Sequence, residues 1–289
     1  MFKKFGGVGA ACALALMSVV CSPRASATQL MAYDMEGTVA TSFGPGVADV
    51  SGLGMALNAT LTGNAAVVPD ATRPGGGAGN HVLYTGTNST FTGAATAGND
   101  PGLPKLNTTG SMTLAAWVKG TATGGFRQIF GRGHQGERLY NFGNSGNEDL
   151  GWAISNSNIG GFQFKVADST PNINDGNWHH VAMSFNAAAQ TVTMFFDGAI
   201  LDVANVAFSS RTGPTSGAGV GIGMRFDGAD LMPDYYIDDA VMWAGPADPA
   251  AIARIAAGLV NGTDLRSIPE PASIVLLASV VIPLIRRRR

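Results

Sequence analysis

Between Thr28 and about Arg266 the apolar residues of this chain come in short alternating runs, each broken by Gly, Asn, Asp or Pro. Alternation at a period of two puts every second side chain on one face of an extended strand, whereas a helix would need apolar residues three and four apart. In Met112–Val118, Met112, Leu114, Ala116 and Val118 share one face and Trp117 lies on the other. Val181, Met183 and Phe185 repeat the pattern, as do Val192, Met194 and Phe196, and Asp197-Gly198 then supplies a type I′ hairpin signal. Further strands are expected near 30–35, 54–61, 81–84, 128–131, 150–155, 162–166, 219–224 and 236–243. About a dozen short strands at such spacing imply an all-β sandwich or jelly roll of antiparallel sheets. One short helix is expected near the C-terminal end, where Asp248 can cap, Pro249 can start and Gly258 can stop it.

The two ends read differently. Lys3 and Lys4, an apolar stretch from Val8 to Val20, and the small residues Ala25-Ser26-Ala27 follow the order of a secretory signal helix, with cleavage by signal peptidase after Ala27. At the other end Pro269, Glu270 and Pro271 precede a mostly apolar stretch from Ala272 to Ile285, closed by Arg286, Arg287, Arg288 and Arg289. Fourteen residues reach about 21 Å as a helix, short of a bilayer core of about 30 Å, so the transmembrane anchor needs snorkelling arginines or local thinning. This order resembles the PEP-CTERM sorting signal of bacterial exported proteins. The resemblance implies an exosortase-type membrane protease as a partner, transient anchoring, and delivery to the cell surface or extracellular matrix. The resulting division is a signal peptide at 1–27, one domain at 28–262, a linker at 263–268 and a sorting tail at 269–289.

Both cysteines, Cys12 and Cys21, lie in the signal segment, so residues 28–289 contain no disulfide or thiol chemistry. The formal charge of −2 is likewise an average. Lys3, Lys4, Arg24 and the four terminal arginines carry seven positive charges and Glu270 one negative, so residues 28–268 keep 11 basic and 19 acidic residues, a net −8. An acidic domain with few lysines excludes a dedicated nucleic-acid binder.

Three segments carry a family resemblance: 111–119 (SMTLAAWVK), 128–133 (QIFGRG) and 175–182 (DGNWHHVA). With 195–198 (FFDG), 236–243 (YIDDAVMW) and the short helix, they resemble the successive strands of a LamG-like domain, the concanavalin A-like lectin/glucanase jelly roll. The resemblance implies two curved antiparallel sheets and, often, a calcium-stabilised ligand-binding or adhesive role. The same fold also serves hydrolases.

A glycoside hydrolase needs two carboxyl groups on either side of the scissile bond. Glutamates of the domain are confined to Glu36, Glu137 and Glu148, none in a Glu-x-Asp-x-Glu strand. His179 and His180, as strand neighbours, face opposite ways and cannot readily share a metal. For calcium, Asp34 and Glu36 of the first strand would meet Asp238 and Asp239 of the last if the terminal strands pair, and hard oxygens are what calcium takes. The alternative is that one acid of each pair faces solvent and the others bind backbone amides. For sugar, Trp152 and Trp117, with Tyr140 and Asn144, are candidate platform and polar residues, while Trp178 and Trp243 are expected in the core. The expected role is a non-enzymatic module binding polysaccharide or matrix protein at the bacterial surface. A structural or adhesive matrix protein is the first alternative and a glycoside hydrolase the second.

Overall fold

The computed structural model describes residues 28–36, 38–41, 44–48, 59–86, 90–93, 111–121, 126–132, 140–145, 150–156, 161–166, 171–206, 220–224 and 232–259. The expected signal peptide, linker and sorting tail lie outside these residues. The strands are β1 (Thr28–Tyr33), β2 (Val39–Thr41), β3 (Gly44–Val47), β4 (Ala59–Thr62), β5 (Ala66–Pro69), β6 (His81–Tyr84), β7 (Thr90–Gly93), β8 (Met112–Gly120) and β9 (Phe126–Arg132). They continue as β10 (Tyr140–Ser145), β11 (Leu150–Asn156), β12 (Gly161–Val166), β13 (His179–Asn186), β14 (Thr191–Phe196), β15 (Ala199–Asn205), β16 (Val220–Ile222) and β17 (Tyr235–Ala244), before helix α1 (Pro249–Ala256).

Two antiparallel sheets form a sandwich. The first runs β15-β14-β13-β8-β17-β6-β5, with β1 also pairing β17, and the second runs β12-β11-β10-β9-β16-β7-β4-β3-β2. The long β17 meets β6 through Tyr236 and Ile237 and β1 from Ala240 to Ala244, so the first and last strands pair. Alternation decides the core. Leu114, Ala116, Val118, Val181, Met183, Phe185, Val192 and Met194 face the second sheet, where Ile129, Phe130, Leu150, Trp152, Ile154, Val220 and Ile222 meet them.

On the outer face of the first sheet Ala32, Ala115, Ala182, Phe195, Val241 and Trp243 form a second apolar patch, covered by Ile252 and Ile255 of α1. The helix starts where expected. The Asp248 carboxylate accepts from Ala250 N at 3.0 Å and Pro249 needs no partner for its nitrogen. It stops at Gly258, whose φ of +66° suits glycine.

Five strands were not expected: β2, β3, β5, β7 and β10. Tyr140–Ser145, which carries Tyr140 and Asn144, is a strand paired to both β9 and β11. Thr90–Gly93 pairs β4 and β16. Threonine-, glycine- and asparagine-rich strands lack apolar alternation, and cross-strand pairing in a wide sheet overrides that weak local preference.

Candidate functional site

The outer face of the first sheet is read most simply as rows running across the strands. Strand register places Val241, Ala115, Ala182 and Phe195 in one row, which α1 covers. The next row holds Asp238, Trp117 and His180, which are opposite one another on β17, β8 and β13. The row beyond that holds Tyr84, Tyr236 and Lys119 on β6, β17 and β8, and Trp178 continues it just before β13.

The middle row is sealed by the loop from Asp70 to Asn80. Its ends close on each other, Asp70 N donating to Asn80 O at 2.9 Å. Gly75 has φ +78°, and a Cβ there would meet Gly258 Cα at 2.8 Å, so the loop lies backbone to backbone on the end of α1. This fixes Arg73 beneath the loop. Its Nε pairs with Asp238, its Nη1 lies 3.4 Å from Asp239 Oδ2, and its Nη2 donates to Asn80 Oδ1 at 3.2 Å. Asn80 Nδ2 donates to Asp238 Oδ2 at 3.2 Å. The guanidinium also lies 6.0 Å from the centre of the Trp117 ring, which meets His180 edge-on at 5.3 Å.

Asp238 and Asp239 both reach one guanidinium because β17 bulges there. Asp238 pairs with Trp117 but Val241 with Ala115, so β17 spends one extra residue. Asp239 takes φ +44°, a left-handed conformation that Asp tolerates better than most residues. Burial, then the charge of Asp239, pushes the Asp238 carboxyl up to about 8 against the pull of Arg73 and Asn80. Burial pushes His180 down to about 4, so its imidazole is neutral at pH 7.

The outermost row is open. Tyr84, Tyr236 and Trp178 are half-buried and the Lys119 side chain is 26% exposed. The Lys119 ammonium lies 5.7 Å from the Trp178 ring centre and 5.3 Å from that of Tyr236, and the Tyr84 and Tyr236 rings are 5.1 Å apart. Polar groups frame these rings. Asp70 Oδ2 accepts from Lys119 at 3.2 Å, Trp178 Nε1 donates to Thr72 Oγ1 at 3.1 Å, and the Tyr84 hydroxyl donates to Asp234 at 2.8 Å. Burial pushes Asp70 up, but hydrogen bonds from Thr72 and Lys119 outweigh it and hold the carboxyl below its usual range. The hydrogen bond to Asp234 raises Tyr84.

A family model described as concanavalin A-like lectin/glucanases superfamily (Laminin_G_3) matches residues 89–253, more than half of the chain. The chain belongs to this family. No curated protein sequence matches it significantly. Its fold is similar to the binding domain of Paraclostridial Mosquitocidal Protein 1, with a TM-score of 0.56 at 10% identity, covering 79% of this chain and 52% of that one. It is also similar to domain 4 of AbnA, a GH43 extracellular arabinanase from Geobacillus stearothermophilus solved in complex with arabinotriose. There the TM-score is 0.54 at 15% identity, covering 80% of this chain and 99% of that one. A third likeness is to botulinum neurotoxin type C, whose cell entry depends on interaction with two ganglioside molecules, with a TM-score of 0.52 at 11% identity, covering 81% of this chain and 51% of that one. At these identities the likeness is one of fold, and the chain spans about half the length of the two toxin chains.

Against this laminin-G-like frame the site expectations need correction. Trp152 is 1% exposed in the inter-sheet core and Trp117 is 2% exposed beneath the Asp70–Asn80 loop, so neither is a platform. Tyr140 and Asn144 lie on β10, opposite Ile154 and Leu150 of β11, and their side chains are outside the described ones. Trp178, expected in the core, is the tryptophan that reaches the surface row, whereas Trp243 is in the core as expected. The four acids considered for calcium do not gather. Asp238 and Asp239 are buried on Arg73, while Asp34 accepts from Glu36 N at 3.3 Å and Glu36 lies 3.6 Å from His81. Among the described residues no three His, Cys, Asp or Glu side chains stand ready for a metal ion, and a buried guanidinium supplies the positive charge the calcium would have brought. Among the described residues no helix is long and apolar enough to cross a membrane, and the tail expected to do so was not among them.

Proposed function

We propose that the chain is a non-enzymatic binding module that takes carbohydrate on the open row Tyr84–Tyr236–Lys119–Trp178. The observation that carries this reading is the division of one sheet face: α1 covers the apolar patch, the Asp70–Asn80 loop covers the buried charges, and aromatic rings are left uncovered only beyond them among the described residues. Aromatic faces flanked by hydroxyl and carboxylate groups suit the apolar C–H face and polar rim of a sugar ring. Lys119 is already met by Asp70 at 3.2 Å and residues 28–268 carry a net −8, which favours a neutral glycan over a uronate-rich one. The carboxyl held up toward neutral pH, that of Asp238, is sealed beneath Arg73 and out of reach of a glycosidic oxygen. That supports binding over hydrolysis. The solved complex of the AbnA domain with arabinotriose supports a carbohydrate ligand on this fold.

Export belongs to the same reading. A signal peptide cleaved after Ala27 and a PEP-CTERM-type tail from Pro269 would deliver the domain to the cell surface or matrix through an exosortase-type protease. Mass analysis of the protein recovered from outside the cell tests this, since an intact Arg286–Arg289 end would count against tail processing.

The binding test is retention of the purified domain on immobilised neutral and uronate-rich polysaccharides. Trp178→Ala or Tyr236→Ala should each weaken binding by about 1–2 kcal/mol, roughly 5- to 30-fold, as central aromatic contacts do. Trp152→Phe should leave binding unchanged. Wild-type binding untouched by Trp178→Ala refutes the row as the site. A structural, adhesive reading is favoured by a different observation: β15 is the sheet edge, and Ile200 and Val203 on it are 53% and 54% exposed. Concentration-dependent association that Ile200→Lys abolishes would support that reading.

A further inference from the structure

Trp178 is carried by the short turn from Asp175, and the residue that follows it, His179, ties that turn down. His179 Nε2 lies 3.0 Å from Asp175 Oδ1 and its Nδ1 lies 2.9 Å from Asp197 Oδ2. Both partners are fixed independently. Asp175 accepts from Asn177 N at 2.8 Å and from Asn177 Nδ2 at 2.9 Å, while Asp197 Oδ1 accepts from His180 N at 2.9 Å. An ionised carboxylate only accepts hydrogen bonds and a neutral imidazole has one N–H, so both contacts are made together only by the imidazolium. The charged groups facing His179 are these two carboxylates, from its own turn and from the β14–β15 hairpin; the Phe196 ring, 4.6 Å away between centres, is uncharged.

We propose that protonated His179 is a positioning residue for the binding row, clamping Asp175 to Asp197 and so holding Trp178 over Lys119, and that losing this proton releases the tryptophan. The proposal rests on the reading of the row as the binding surface. Its direction follows from the partners. The hydrogen bond to Asp197 outweighs burial and, with Asp175, raises His179 above its ordinary 6.5, while hydrogen bonds from Asn177 hold Asp175 at about 2. The clamp is therefore closed below the His179 pKa and opens as pH rises through it.

The other three tryptophans, Trp117, Trp152 and Trp243, are 2%, 1% and 4% exposed, so acrylamide quenching of the mature protein reports on Trp178. Quenching of the wild type should rise with pH as a single-proton transition spread over about two pH units, with unchanged circular dichroism. His179→Gln should be quenched strongly at every pH, and Trp178→Phe should lose the quenchable component. If His179→Gln fails to fold, Asp175→Asn, which removes one of the two negative charges that favour the imidazolium, should move the transition to lower pH. Glycan affinity of the wild type should fall over the same pH range. A flat quenching profile in the wild type overturns the clamp even where glycan binding is intact. A quenching transition without any glycan binding overturns the binding row and leaves the clamp standing.

Discussion

Replacing Arg73 by Met would leave two buried carboxylates facing each other across an apolar side chain of similar length. Asp238 and Asp239 side chains are 0% and 2% exposed, so neither can turn to solvent without moving the Asp70–Asn80 loop. Removing one partner of a buried ion pair costs about 3–5 kcal/mol, because the remaining charge keeps its desolvation penalty and loses its compensation. At a guanidinium slope of about 5 kcal/mol/M, a cost of about 4 kcal/mol moves the unfolding midpoint by roughly 0.8 M. The cost depends on pH, and its sign can be worked out. Asp238 already sits above its ordinary 3.8 because of burial and Asp239, and Arg73 opposes that rise. Without the guanidinium the Asp238 carboxyl rises further. A folded-state pKa above the unfolded one gives stability that is present at low pH and lost as pH rises. Arg73→Met should therefore be mildly destabilising near pH 5, where the carboxyls can take protons, and most destabilising near pH 8.

Chemical unfolding followed by fluorescence at pH 5 and pH 8 measures this directly. Adding Asp238→Asn and Asp239→Asn to Arg73→Met removes the stranded charges and should restore most of the loss at pH 8, since Asn tolerates the left-handed backbone at 239. A midpoint shift below roughly 0.2 M at pH 8, under about 1 kcal/mol by the same slope, would refute the reasoning. So would a failure of the two Asn changes to rescue it. Either result would mean that the carboxylates escape to water or to a cation other than Arg73.

Other outcomes follow from the same geometry. His180, neutral by burial with its pKa pushed down to about 4, gives stability that is complete above about pH 6.5 and falls as pH drops toward 4. Burial of the uncharged ring makes this pH dependence worth about 3 kcal/mol, and His180→Gln should lack it, so that wild-type stability relative to the variant rises by about that amount between pH 4 and pH 7. Asp248→Ala removes the cap on α1 and should cost about 1 kcal/mol in the same assay. Gly75→Ala sets a Cβ 2.8 Å from Gly258 Cα at φ +78° and should cost about 1–3 kcal/mol, while Gly77→Ala, with open space around it, should be near neutral. Calcium addition or EGTA should leave the melting temperature of the purified domain unchanged; a rise of several degrees with calcium would show a cation site among residues outside those described.

The sandwich was legible in the sequence because the strands that build its centre alternate. Met112 to Val118, Val181 to Phe185 and Val192 to Phe196 each point the expected side chains into the inter-sheet core. The cap at Asp248 and the left-handed turn at Asp197-Gly198, with φ +46° and +82°, were readable for the same local reason. Exposure was not. Period two assigns Trp117 to the face away from the core, which is correct, but does not say that a loop forty residues upstream folds over that face. Trp117 and Trp178 share the outer face and differ only in what covers them, a property of tertiary packing that neither residue's neighbours encode.

The bulge in β17 shows that part of the missing information was present. Tyr235 and Ile237 face the core two residues apart, and Ala240 and Met242 do so again, but Ile237 and Ala240 are three apart. A strand that keeps one face buried across such a step must insert a residue, and the inserted residue lies at Asp238-Asp239. Treating those two acids as opposite-facing neighbours, one out and one in, assumed a regular strand. Once the phase step is recognised, two adjacent carboxylates fall inside an otherwise apolar strand, and buried charges require a partner. In a domain with 11 basic residues between 28 and 268, that partner is as readily an arginine as a metal ion. A single Arg in a loop of Gly, Ala, Pro and Thr residues, Arg73, has no apolar periodicity to explain it, and the buried acidic pair on β17 supplies the reason it is there.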